Sequence, residues 1–162
     1  MSRIDVPMSS EDITAQLPNA GVYLYRDLIR LKKLPPLPFI LLYETEPSYG
    51  HWVAVHEVGG GIEHFDSYGY RPDAELSFIP EKYRKAFAST RPQLVRLLLE
   101  DGRPVSYSEF KLQRDPAQTC GRWCVTRILT ANVPAAMFAK SVRRVAREMG
   151  VTPDDIVAAI VP

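Results

Sequence analysis

Three consecutive glycines, Gly59 to Gly61, lie between two segments rich in strand-forming residues, at positions 51–58 and 62–65. Glycine adopts the positive φ angles of a tight turn at little cost, so the pattern predicts a β-hairpin. With Gly59 and Gly60 as a two-residue turn, Val58 pairs with Gly61 and every later pair follows from it. A three-residue turn would shift the register and move each side chain to the opposite face.

The two-residue register places His51 and Asp66 on one face of the hairpin as diagonal neighbours, a separation that long side chains can bridge. His56 lies opposite Glu63 on the other face, where the two can pair without any catalytic role. His64 shares the face of Asp66 and is therefore an alternative partner, although a polar strand residue would look the same.

In the rest of the chain, most of the predicted helices follow the predicted strands. Further strands are predicted at residues 39–43 and 105–112, and helices at residues 13–17, 22–33, 81–88, 92–100, 121–130 and 135–149, with a short last helix after Thr152. This order predicts an α+β fold with a small mixed β-sheet packed by helices. At 162 residues, the chain is expected to form a single domain over residues 1–162.

Charge and cysteine content restrict the environment of the protein. The net charge is only +1, which predicts no general attraction to nucleic acid or membrane surfaces. Residues 1–18 lack the apolar core of a signal peptide, and no apolar run could span a bilayer. The two cysteines do not form a disulfide framework, so we expect an intracellular, reducing compartment and no membrane.

Cys120 is predicted to lie just before a helix, where the positive end of the helix dipole favours an anion. Gly121 beside it would let a substrate backbone approach closely. Cys124 lies one turn further on the predicted apolar stripe, with Arg122 and Arg127 facing outward. The alternative is that both cysteines only pack in the core, as free cysteines often do.

Cysteine, histidine and aspartate are the residue types that nucleophilic catalysis by a thiol requires. The imidazole of His51 would accept the proton of Cys120, and the carboxylate of Asp66 would orient the imidazole. Acyl transfer also needs donors for the oxyanion. The backbone N–H of Cys120 is one candidate, and the side-chain amides of Gln113 and Gln118 are two more.

Three short blocks carry a family resemblance: Gly-His-Trp-Val-Ala-Val at residues 50–55, Phe-Asp-Ser-Tyr-Gly-Tyr at residues 65–70, and residues 113–124 with Cys-Gly-Arg-Trp-Cys at their end. Together they resemble the adenain family of viral maturation proteases and, more widely, the clan that includes the ubiquitin-like-protein-specific proteases. In that family the order is His, acid, Gln, Cys, with Trp after the His. The Gln precedes the Cys by six or seven residues, which favours Gln113 over Gln118.

The resemblance implies a papain-like cysteine endopeptidase of the adenain type, with His51, Asp66 and Cys120 as catalytic residues and Gln113 in the oxyanion hole. It implies that Trp52 is a wall of the substrate channel, although a tryptophan here could equally pack in the core. The implied enzyme is virus-encoded, needs no cofactor and cleaves capsid or core precursor proteins during virion maturation. It would be a monomer, packaged in the virion.

Three other functions compete with this one. The first is a deubiquitinase or deSUMOylase, and the second is a non-catalytic interaction domain of the same fold. The third is a zinc-binding module, because His51 with His56 and Cys120 with Cys124 have ligand-like spacings. Residues five apart on a strand point to opposite faces, which argues against the zinc site.

A run of basic residues recurs at helical spacing in the predicted helix 135–149: Lys140, Arg143, Arg144 and Arg147. Such a run usually forms a solvated helix face. The adenain resemblance allows a second function, a surface for a DNA or peptide activator. With Cys120 assigned to catalysis and Cys124 to the core, any such activator would bind without a disulfide.

Overall fold

The computed structural model describes residues 3–86 and 91–162. Within this part of the chain, five strands form one sheet in sequence order: β1 (Gly21–Leu24), β2 (Phe39–Glu46), β3 (Tyr49–Val58), β4 (Gly61–Phe65) and β5 (Val105–Tyr107). The two outer pairs are parallel and the two inner pairs are antiparallel. The predicted α+β class with a small mixed sheet is confirmed.

The described part of the chain forms these α-helices around the sheet: α1 (Ser10–Gln16), α2 (Glu81–Ala86), α3 (Gln93–Asp101), α4 (Cys120–Leu129), α5 (Ala135–Met149) and α6 (Pro153–Ile160). Short 3₁₀ turns occur at Arg3–Asp5, Tyr25–Arg30 and Ala74–Phe78. The predicted helix 81–88 is present as far as Ala86, and its last two positions lie outside the described residues. In the two described ranges, no helix is long and apolar enough to cross a membrane.

The predicted hairpin register is confirmed. Val58 pairs with Gly61 and His56 pairs with Glu63, so Gly59 and Gly60 form the two-residue turn. Gly59 has a φ of +57°, which glycine adopts without steric cost. The alternation of side chains along β3 and β4 is therefore the one that brings His51 and Asp66 to the same face.

Each face of the sheet packs against its own layer of helices. One face of β3, which includes Trp52 and Ala54, packs with buried residues of α4 and α5 such as Trp123 and Phe138. The other face, which includes Val53, packs with apolar residues of α3 and of the 3₁₀ turn Tyr25–Arg30. The sheet is thus buried on both sides over its central strands.

Two predicted elements are wrong. The helix predicted at residues 22–33 is instead β1 followed by a 3₁₀ turn, because Gly21–Leu24 pairs with β2 as a parallel strand. The strand predicted at residues 105–112 ends at Tyr107. Beyond it the chain turns, and the N–H groups of Leu112 and Gln113 donate to the carbonyl of Ser67. Pairing partners distant in sequence override local propensity in both cases.

Arg122 and Arg127 do not face outward as predicted. Arg127 is fully buried and donates two hydrogen bonds to Glu63, at 2.8 and 3.1 Å. Arg122 donates to the carbonyls of Val6 and Val161, at 2.6 and 3.0 Å, and so joins α4 to both ends of the chain. A buried guanidinium is tolerated because these acceptors replace its water.

Candidate active site

Cys120 is the first residue of α4, a ten-residue helix. Its side chain lies next to β3, where the backbone N–H of Trp52 donates a hydrogen bond to Cys120 Sγ at 3.5 Å. The thiol is largely buried but reaches the floor of a cleft of about 540 Å³, which His51, Tyr68, Glu75 and Gln113 also line. A nucleophile in this position has the free N–H groups of a helix start beside it.

His51 lies between Cys120 and Asp66. Its Nε2 is 2.7 Å from Asp66 Oδ1 and the side chain also interacts with Cys120, so Nδ1 is the ring nitrogen left to face the thiol. Burial alone would lower the pKa of His51, but interactions with Cys120 and with the nearby carboxyl group of Glu75 raise it. The tautomer with a proton on Nε2 fits both contacts, because Nδ1 can then accept the thiol proton.

Asp66 follows β4 directly and is fully buried. Its Oδ1 also accepts a hydrogen bond from the backbone N–H of Tyr68 at 2.8 Å. Burial raises the pKa of Asp66, and interactions with the side chain of Glu75 and with the Tyr68 N–H act in the opposite sense. The Tyr68 ring stacks on the imidazole of His51, with centroids 4.7 Å apart, so His51 is held from two directions.

Gln113 is buried and held by three groups. Its Oε1 accepts a hydrogen bond from Ser67 Oγ at 2.7 Å, while its Nε2 donates to the Ala117 carbonyl at 2.6 Å and, more weakly, to Tyr68 Oη at 3.3 Å. Gln118 also borders the cleft, but its Oε1 accepts from Tyr49 Oη at 2.8 Å. The structure thus orients the amide of Gln113 more firmly than that of Gln118.

Asp154 fixes the loop that leads to the nucleophile, and no sequence pattern pointed to it. This carboxylate of α6 accepts hydrogen bonds from Thr119 Oγ1 at 2.6 Å, Trp123 Nε1 at 2.9 Å and the Arg114 N–H at 3.0 Å. These donors lie before and after Cys120 and are at least 31 residues from Asp154 in sequence. Asp154 therefore connects α6 to the start of α4.

The second cysteine, Cys124, and the alternative histidine, His64, do not reach the cleft. Cys124 is fully buried in the apolar core, and burial raises the pKa of its thiol well above the usual range. His64 is also fully buried, where burial and the charge of His51 lower its pKa to about 3. Neither residue lines the cleft that contains Cys120.

The two predicted substrate-binding residues lie elsewhere. Trp52 packs in the core, donates its indole N–H to the Met8 carbonyl at 3.0 Å and borders a separate depression of about 390 Å³ near α1. A Cβ on Gly121 would lie 3.0 Å from the Cβ of Met8, so the close approach at this glycine is to the N-terminal segment. Neither residue lines the cleft that contains Cys120.

Glu75, in the 3₁₀ turn Ala74–Phe78, is a further buried carboxyl group that the sequence did not indicate. Its Oε1 lies 3.7 Å from His51 Nε2. Within residues 3–86 and 91–162, His51, Asp66 and Glu75 form the sole group of three with metal-ligand side chains close together. Because His51 Nε2 and Asp66 Oδ1 are hydrogen-bonded to each other, we assign no metal to them.

The zinc site considered from sequence spacing does not form. His56 Nε2 lies 2.7 Å from Glu63 Oε2 on the face opposite His51, and Cys124 is enclosed by apolar side chains. Neither His56 nor Cys124 belongs to a group of three potential metal ligands in the described part of the chain.

The basic run lies on α5, away from the cleft. Lys140, Arg144 and Arg147 are exposed, whereas Arg143 is partly buried, lies over the Phe110 ring and donates to the Lys111 carbonyl at 3.2 Å. Three members of the run are therefore free to meet solvent or a partner.

No protein-family model matches this chain. The uncharacterized protein V9 of Sputnik virophage is 37% identical over 164 residues, which cover 96% of this chain and 94% of V9. Among solved structures, the crystal structure of the ASFV pS273R protease aligns with a TM-score of 0.45 and 17% identity. That alignment covers 86% of this chain and 64% of the pS273R chain, so this chain spans less than two thirds of its length.

Proposed function

We propose that this chain, which belongs to the family of protein V9 of Sputnik virophage, is a cysteine endopeptidase. The observation that carries the proposal is the 2.7 Å hydrogen bond between His51 Nε2 and Asp66 Oδ1, in a cleft that Cys120 also lines from the start of a helix. A thiol, an imidazole and a buried carboxylate in this order are the components of acyl transfer by a cysteine nucleophile.

Each residue has a defined part in the proposed reaction. His51 Nδ1 accepts the Cys120 proton, and the thiolate attacks the carbonyl carbon of the scissile peptide bond. The imidazolium then protonates the leaving amine, which gives a thioester on Cys120 and a free amino terminus. His51 next removes a proton from water, and the water oxygen attacks the thioester carbonyl. The C–S bond breaks, the carboxylic acid product leaves, and the Cys120 thiolate regains its proton from His51. Asp66 remains ionised and orients His51 throughout.

Two donors are available for the oxyanion that forms during attack. One is the backbone N–H of Cys120, which begins α4 and has no partner within the helix. The other is Gln113 Nε2, whose second hydrogen makes only the long 3.3 Å contact with Tyr68 Oη. A developing negative charge would bind this N–H more strongly than a phenol oxygen does.

The proposed biological substrates are capsid or core precursor proteins that are cleaved during virion maturation. Two observations support this: the blocks around His51, Asp66 and Cys120 resemble viral maturation proteases, and the relative V9 is a virophage protein. A monomeric enzyme that is packaged in the virion, with a DNA or peptide activator on the exposed basic residues of α5, belongs to the same proposal.

Active-site labelling tests the chemistry directly. A peptide that carries an electrophile is incubated with the protein, and the modified residue is mapped by mass spectrometry. We expect modification at Cys120 and none at Cys124, because burial keeps the Cys124 thiol protonated and out of reach. Labelling at Cys124, or at neither cysteine under reducing conditions, would contradict the assignment.

The choice of substrate separates the peptidase from the isopeptidase alternative. Hydrolysis of virion precursor peptides is compared with release of a fluorophore from the C-terminus of a ubiquitin-like protein. Preferred turnover of the ubiquitin-like substrate would replace virion maturation with deubiquitinase or deSUMOylase activity, while the role of Cys120 would remain.

Removing the side-chain amide of Gln113 is expected to slow the reaction. Gln113→Ala should lower kcat on the order of a hundredfold, since one oxyanion donor is lost. The matched control is Gln118→Ala, which borders the same cleft but should keep most of the activity because the Gln118 amide is held only through its Oε1, by an exposed contact with Tyr49, and is not oriented as that of Gln113 is. Steady-state kinetics on one peptide substrate measure both variants, and the reverse order of effects would move the oxyanion donor to Gln118.

A further inference from the structure

A second carboxyl group, that of Glu75, lies beside the hydrogen-bonded pair of Asp66 and His51. Glu75 is 6% exposed, and its Oε1 is 3.7 Å from His51 Nε2. One nitrogen of His51 and one oxygen from each of Asp66 and Glu75 all lie within 4.8 Å of one another. Three ionisable side chains therefore share one small buried volume.

Two oxygens of this group, Asp66 Oδ2 and Glu75 Oε1, are buried without a hydrogen-bond partner. Ionised carboxylates only accept hydrogen bonds, so two ionised groups here would leave both oxygens unsatisfied and would repel each other. One proton held between the two carboxyl groups supplies the missing donor and removes the repulsion. The arrangement thus requires one neutral and one charged carboxyl group.

Glu75 is the neutral member at neutral pH. Burial and the hydrogen bond with Asp66 raise the pKa of Glu75 to about 9, although the charge of His51 acts in the opposite sense. The titratable groups around the pair come from β3, β4, the loop after β4 and α4: His51, His64, Tyr68 and Cys120. Asp66 is left as the carboxylate that faces the imidazole.

We propose that Glu75 is a positioning residue whose neutral carboxyl group donates a hydrogen bond to Asp66 Oδ2 and holds Asp66 against His51. This inference rests on the proposed Cys120, His51 and Asp66 chemistry and adds a fourth member to it. The Tyr68 N–H and His51 both contact Oδ1, so Oδ2 would otherwise leave the carboxylate free to rotate. Because the carboxyl group of Glu75 is neutral, the pair keeps a single negative charge, which matches the single positive charge that forms on His51.

Two variants separate a hydrogen-bond donor from a charge. Glu75→Gln keeps the size of the side chain and offers an amide N–H to Asp66, whereas Glu75→Leu offers no donor. For peptide hydrolysis at pH 7, we expect Glu75→Leu to lower kcat on the order of tenfold to a hundredfold, with KM changed by less than about twofold. Glu75→Gln should restore kcat to within about threefold of the wild type.

The pH dependence of Cys120 alkylation by iodoacetamide gives a measurement that needs no peptide substrate. As the pH rises through about 9, Glu75 of the wild type loses its proton, which removes the donor and places a second negative charge beside His51. The alkylation rate of the wild type should therefore change near that pH. Glu75→Gln cannot ionise, so its profile should lack this change.

The outcomes distinguish this inference from the proposed function. Glu75→Gln as slow as Glu75→Leu, or Glu75→Leu as fast as the wild type, would overturn the positioning role. If thermal unfolding shows that Glu75→Leu does not fold, the pH profile of Cys120 alkylation in Glu75→Gln tests the positioning role by itself. Different alkylation profiles without any peptide hydrolysis would overturn the peptidase only. Peptide hydrolysis with identical profiles would overturn the role of Glu75 only.

Discussion

His51→Ala is expected to lower kcat/KM for peptide hydrolysis by roughly a thousandfold or more. In the proposed reaction the imidazole both accepts the Cys120 proton and is oriented by Asp66, so its loss leaves the thiol without a base. The same variant should slow alkylation of Cys120 at neutral pH, because the neighbouring proton acceptor is absent. Steady-state kinetics and a timed alkylation assay measure the two effects.

The matched control is His64→Leu, at the histidine that shares the Asp66 face of the hairpin. His64 is fully buried, and neither ring nitrogen has a hydrogen-bond partner. Its pKa of about 3 keeps it neutral at pH 7, so leucine removes no charge there. We expect kcat/KM within about threefold of the wild type. A catalytic loss in His64→Leu, with His51→Ala active, would exchange the roles of the two histidines.

Arg127→Met is expected to destabilise the protein by about 3–5 kcal/mol, the cost of removing one partner from a buried ion pair. Arg127 is fully buried and makes two hydrogen bonds to Glu63, whose remaining side-chain partner is His56. Without the guanidinium, the Glu63 carboxylate stays buried beside a single histidine. Chemical denaturation at pH 7 gives the free energy of unfolding. Arg144→Met on the exposed face of α5 is the control and should change it by less than about 0.5 kcal/mol.

The acid dependence of unfolding gives a second measure of the same interaction. Burial opposes ionisation of Glu63, but hydrogen bonds from His56 and Arg127 lower its pKa to about 2. A carboxylate with a lowered pKa stabilises the fold above its unfolded value of 4.5, and this contribution is lost as the pH falls from 4.5 to 2. Arg127→Met should lose less stability over that interval than the wild type. An unchanged acid dependence would show that Arg127 does not set the pKa of Glu63.

The part of the site that depends on short-range geometry could be predicted from the order of the residues. The glycines at the hairpin turn set the register, and the register placed His51 and Asp66 on one face. The helix start at Cys120 and the burial of Cys124 followed from local pattern as well. These features were predictable because strand alternation and helix ends are fixed by a few neighbouring residues.

Tertiary packing sets which polar residues are buried around the site and in the core. Glu75, Asp154 and Arg127 each contact residues far away in sequence, and nothing near them in the chain distinguishes them from surface charges. Arg127 was even expected to face solvent. A charged residue is buried when a matching partner lies across the core, and that partner is placed by packing, which local sequence does not encode.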